Sequence, residues 1–219
     1  MRIRIATGLL VLVAAALLAT ACRPGAEPAA PEQPKLDALL AQLPSSEQPP
    51  PDEAVRRAKA AARRLGVELK SELLRLLDES GPVGAIEVCS KRATEIRQAL
   101  AEEGLMVRRV SLKVRNPADR PDDWERRILE TLVEIAAVDR SALPEELAVV
   151  VARDDGEELR YLRPIFVQRP CLTCHGPVDR MDPEVRDKIA ELYPGDQATG
   201  YAEGDLRGAI SVRLDLGQR

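Results

Sequence analysis

The chain has 219 residues, a formal net charge of −4, 31% charged residues, and only one Phe, one Trp and three Tyr. Its basic residues are scattered along an acidic chain, which excludes the clustered positive footprint of a nucleic-acid binder. The length suits one ordinary domain, and so few aromatics mean that its core has to come from Leu, Val, Ile and Ala.

The chain opens with Met1-Arg2-Ile3-Arg4 and then carries no charge from Ile5 to Ala21. That run falls short of the roughly 20 apolar residues of a spanning helix, ends in small residues, and reads as a signal peptide over 1–21. Ala19-Thr20-Ala21 fits a small-x-small cleavage site. Cys22 stands where a lipoprotein carries its acylated cysteine, although Leu18 lies four rather than three residues before it. Lipidation at Cys22 is therefore expected over plain secretion. Removing residues 1–21 takes away Arg2 and Arg4 and moves the net charge from −4 to −6. The expected location is the periplasmic side of a bacterial membrane, held there by the lipid anchor.

Residues 22–51 hold eight of the 17 prolines and read as a stiff, extended tether, with a short helix over Lys35–Leu43. The folded domain is expected over 52–219. Ala58, Ala62, Leu65, Leu69, Leu73 and Leu76 recur at helical spacing from Asp52 to Glu79. Ser80-Gly81-Pro82 breaks that helix, and a second runs from Pro82 to Glu103 with Ile86, Cys89, Ala93, Ile96 and Leu100 on one face. Val110, Leu112 and Val114 alternate with polar residues and predict a strand. Pro121 opens a third helix with Trp124, Ile128, Leu132 and Ile135 along one side. Leu147–Ala152 and Glu158–Val167, joined by Asp154-Asp155-Gly156, predict a hairpin. A short helix follows over Asp182–Leu192, and a last strand alternates Leu206, Gly208, Ile210, Val212 and Leu214 with Arg207, Ala209, Ser211 and Arg213. Helices followed by mostly antiparallel strands make an α+β domain.

Directly after the hairpin stands Cys171-Leu172-Thr173-Cys174-His175, with the one histidine of the chain. Cys-x-x-Cys-His is the attachment motif of a c-type haem. Its two thiols add to the two vinyl groups on one edge of the porphyrin, and the next residue offers its imidazole to the iron. One covalent haem c is expected, with His175 as proximal ligand. Three rivals stand beside it. Cys89, Cys171, Cys174 and His175 would make a Cys₃His zinc site, but Cys89 stands without a second knuckle. A thiol–disulfide oxidoreductase motif opens a longer helix than Gly176-Pro177 allows. A plain Cys171–Cys174 disulfide would leave Cys89 odd.

With no second histidine, the other axial position needs another residue. Met181 is six residues past His175 and too near to pass round the ring edge. Met106 and Cys89 stay open. A lone buried cysteine is ordinarily a small hydrophobe, but beside a haem with no spare histidine its thiolate is a candidate ligand.

Several separated blocks resemble the PAS-like c-type haem sensor domains of bacteria. They are Gly84-Ala85-Ile86-Glu87-Val88-Cys89-Ser90, Arg115-Asn116-Pro117, Pro121-Asp122-Asp123-Trp124-Glu125, Pro170–Gly176, Tyr193–Tyr201 and Gly204–Val212. The resemblance spans roughly Pro82 to Leu214. It implies a PAS-like sheet packed with N-terminal helices, covalent haem at Cys171 and Cys174, proximal His175 and distal Cys89.

Two functions fit this reading. One is a redox or diatomic-gas sensing module, in which a labile thiolate opens a position on the iron. The other is a periplasmic electron-transfer cytochrome with both ligands fixed, serving a redox partner protein. An enzyme is not expected, since no distal histidine exists to act as a general base.

Overall fold

The computed structural model describes residues 33–42, 49–101 and 104–217. The signal peptide and Cys22 lie outside the described residues. Among those described, no helix is long and apolar enough to cross a membrane.

The order is α1 (Gln33–Leu40), α2 (Asp52–Ala99), β1 (Leu105–Val110), α3 (Asp123–Val138), β2 (Leu147–Arg153), β3 (Gly156–Phe166), the one-turn α4 (Leu172–His175), α5 (Pro183–Leu192) and β4 (Leu206–Gly217). The four strands form one antiparallel sheet in the order β1-β4-β3-β2. The architecture is the α+β class expected.

Gly81 interrupts α2 with φ +66 and ψ −179, a conformation open essentially to glycine. The two parts fold back on each other there. Glu72 and Arg92 meet at 3.1 Å, although 20 residues of straight helix would separate them by about 30 Å. The paired guanidiniums of Arg75 and Arg92 hold the Glu72 carboxyl down at about 2. Ala58, Ala62, Leu65, Ile96 and Leu100 from both parts join Val107, Leu159, Tyr161, Val212 and Leu214 in the larger core. Alternation along β1, β3 and β4 dictates which side chains point this way.

The opposite face of the sheet is covered by α3. Asp122 and Glu125 form a capping box at its start, which satisfies two backbone donors reciprocally. Ile128, Leu129, Leu132 and Ile135 pack with Leu162 and Ala209. Leu36 of α1 is buried in the same cluster, so the short helix expected over Lys35–Leu43 is docked on α3.

Two strand expectations are corrected. The first strand ends at Val110, where the expected one was to begin. Past its last pair, Val110 with Ala209, the Ser111 N–H turns away to the Asp119 carbonyl at 3.1 Å. The second correction lies in β4. Ile165 pairs with Gly208 but Phe166 pairs with Leu206, so Arg207 is the extra residue of a bulge. Leu206 and Ala209 both pack on the α3 side, which simple alternation forbids and a bulge permits. Gly208 is at φ +148, and a Cβ there would lie 2.2 Å from the Val110 carbonyl oxygen.

Candidate cofactor site

Cys171 and Cys174 sit three apart on the single turn α4, with Cys171 already helical at φ −68 and ψ −27. Three-residue spacing puts two side chains on one helix face. The two sulfurs are not joined in a disulfide, and Cys171 Sγ accepts the Gln168 N–H at 3.4 Å. Gly176 ends the turn, its N–H bonded to the Leu172 carbonyl at 2.9 Å.

A second segment holds this turn in place. The Tyr201 N–H donates to the His175 carbonyl at 3.0 Å, and the Gly200 N–H donates to the Gly176 carbonyl at 2.9 Å. His175 Nδ1 lies 2.6 Å from the Ala198 carbonyl oxygen. A carbonyl only accepts, so Nδ1 carries the proton and the lone pair is on Nε2. Burial, then the charges of Arg207 and Arg115, push the imidazole well below its usual range against the opposing pull of Ala198. The ring is therefore neutral at neutral pH, which is the form that ligates a metal.

Cys171, Cys174 and His175 line one cavity of about 1360 Å³ of atom-free space, its open mouth included. Leu69, Leu73, Ile86, Ile96, Ile165 and Phe166 make its apolar walls. The charged part of the wall is basic, with Arg92, Arg109, Arg115 and Arg207 against Glu72 and Asp119. Three of these cations are matched: Arg92 by Glu72, Arg109 by Asp119 and Arg115 by Asp196. Arg207 ion-pairs with no carboxylate among the described residues. Its Nη1 donates to Ser111 Oγ at 2.6 Å and the Lys113 carbonyl at 3.2 Å, and its guanidinium lies over the Tyr201 ring. Burial lowers its proton affinity, with Arg109 and Arg115 adding to the effect and Tyr201 and the more distant Asp119 opposing it.

The structure thus brings Cys171, Cys174 and His175 to one wall. Cys89 belongs to α2, between Ile86 and Ala93, which both line the cavity; its side chain lies outside the described set. Met106, left open as an iron ligand, is 57% exposed and alternates away from Leu105 and Val107, which face α2. Met181 is buried with Ile86, Val185 and Ile189, and Cys174 packs against that cluster. Arg109, Arg207 and Asp196 are site residues that the chemistry of the motif did not single out. The partners of Arg207 and Asp196 lie far off in sequence, and the bulge that turns Arg207 leaves no periodic trace.

Fold and site together define an α+β domain with a thiol, thiol and imidazole donor set on the wall of a largely apolar, cation-rimmed cavity. Residues 33–214 match the family model described as Tll0287-like: Tll0287, and the chain belongs to this family. Among solved structures it is similar to the crystal structure of the cyanobacterial haem protein Tll0287, with a TM-score of 0.56 and 26% identity, covering 78% of this chain and 99% of that one. No curated protein matches the chain.

Proposed function

We propose that the chain is an exported c-type haem protein carrying one covalent haem, and that it works as a redox or diatomic-gas sensing module with His175 and Cys89 as axial ligands. The observation that carries this reading is the site itself: two unbridged cysteines on one helical turn, beside an imidazole whose Nε2 carries the lone pair, on the wall of an apolar cavity. The similarity to a haem protein supports it. The unmatched Arg207 also fits, because the porphyrin brings carboxylates of its own.

Cys171 and Cys174 would hold the haem, each thiol adding across a vinyl group with its sulfur on one carbon and its hydrogen on the other. His175, fixed by Ala198, offers Nε2. Bound there, the haem supplies a redox-active iron with an exchangeable axial position. Cys89 would offer an anionic thiolate, which favours the ferric state and would be weakened by protonation or by reduction of the iron. Residues 82–99 follow the non-helical Gly81 within α2 and carry Cys89, so they are the segment that losing the Cys89 bond would release. Residues 1–21 export the chain, and acylated Cys22 holds it at the periplasmic side of a membrane.

The test is the optical spectrum of protein made with export and haem-attachment machinery. Acid–acetone extraction should leave the haem on the chain, and Cys89→Ala should abolish the low-spin thiolate features of the ferric form. Carbon monoxide should bind the reduced protein; a closed six-coordinate spectrum that ignores it would make the protein an electron carrier. Cys22→Ser should release the domain from membranes with its spectrum unchanged.

A further inference from the structure

Two blocks noticed in the sequence, Arg115-Asn116-Pro117 and Tyr193–Tyr201, meet behind His175. Asp196 Oδ1 accepts from Arg115 Nε at 3.1 Å and from the Ala198 N–H at 2.9 Å. Its Oδ2 accepts from Arg115 Nη2 at 2.9 Å. The same Nη2 donates to the Cys174 carbonyl at 2.6 Å and lies 3.4 Å from the Ala198 carbonyl oxygen. The Gln197 N–H donates to the Val114 carbonyl at 2.9 Å and ties the two blocks together. The pair is buried, with 12% of the Arg115 side chain and 8% of the Asp196 side chain exposed.

This pair touches both things that fix His175. Through the Cys174 carbonyl it holds the turn from which the imidazole springs. Through Ala198 it holds the acceptor of the Nδ1 proton. Ala198 O is shared between that proton and a guanidinium. A cation on a carbonyl oxygen draws electron density from it and weakens it as an acceptor, and a weaker acceptor leaves the imidazole a poorer donor at Nε2. Asp196 opposes this, because its charge neutralises Arg115.

We propose that Asp196 and Arg115 are positioning residues that set the donor strength of His175, a role that rests on the c-type haem reading above. Arg115 weakens the donor and favours ferrous iron; Asp196 restrains Arg115 and favours ferric iron.

The test is the reduction potential of the haem-loaded protein by spectroelectrochemistry. Arg115→Gln should lower it, Asp196→Asn should raise it, and the double variant should return close to the wild type. Arg115→Lys, which keeps the charge, should shift it less than Arg115→Gln. A purely structural pair would give less stable protein with the potential unmoved, or moved the same way by both single variants; either result overturns the proposal. A second arm needs no variant. In nitrogen-15 NMR of the unmodified wild-type chain, Nδ1 of His175 should carry the proton and Nε2 should not, and the reverse would overturn the proposal whatever the variants do. Lack of covalent haem in the wild type would instead sink the haem reading, and the NMR result separates the two failures.

Discussion

The two faces of the sheet carry charge in opposite ways. Under α3, Glu125 is fully buried. Its Oε2 accepts from Arg108 Nη2 at 2.5 Å and the Asp122 N–H at 2.8 Å, and its Oε1 accepts from Ser211 Oγ at 2.7 Å. Beside it, Glu158 accepts from Arg153, Arg160 and Arg213, and Arg160 also reaches Asp122. Every carboxylate there has its cations, as a buried charge requires. On the other face, Arg207 lines the cavity without an ion-paired carboxylate among the described residues. The matched network is what a fold needs to close; the unmatched cation is what a fold leaves for something it holds.

Variants should separate the two faces. Glu125→Ala strands Arg108, removes the partner of Ser211 and breaks the capping box. It should cost about 3–5 kcal/mol in urea unfolding, with α3 losing hydrogen-exchange protection first. A loss below about 1 kcal/mol would put the network among ordinary surface pairs. Gly81→Ala, in the hairpin of the cavity side, forces a Cβ into a glycine conformation and should cost about 1–3 kcal/mol. Arg207→Gln should change the stability of the haem-free chain by less than about 1 kcal/mol, since the lost hydrogen bonds are offset by relief of a half-buried cation crowded by Arg109 and Arg115. If it destabilises as much as Glu125→Ala, the contrast between the faces fails.

The smallest effect concerns acid. The Glu72 carboxyl is held at about 2, below its ordinary 4.5, so the unfolded chain binds its proton first as pH falls. Its stabilising share is complete above pH 4.5 and disappears as pH drops through 2. Glu72→Gln should flatten that part of the stability profile and leave stability near pH 1 unchanged, as acid titration of the melting temperature would read.

Most helices and the hairpin were legible because their periodicities are clean. Ala58, Ala62 and Leu65 mark one face of α2, Pro121 announces the start of α3, and Asp-Gly marks the β2–β3 turn. β1 was hidden because Arg108 and Arg109 occupy inward positions on opposite faces. Their charges are admissible only because Glu125 and Asp119 wait for them, and neither partner can be read from alternation. The donor set was legible since its chemistry is packed into five consecutive residues. The Arg115–Asp196 pair was visible only as two blocks whose meeting depends on the folded chain.

The strand order also decides when the cavity can exist. β1 is held in the sheet only by β4, so Val107 must wait for Val212, about a hundred residues later, and pairings that distant close slowly. β4 also brings Arg207 and Gly208 to the cavity wall. Cys171 and Cys174 are thus synthesised before the pocket around them is complete, and on the c-type haem reading proposed above both sulfurs would be open to attachment during that interval. On that reading, strengthening the β1–β4 pairing should shorten this interval and lower the yield of haem-bearing protein, even while it raises the melting temperature.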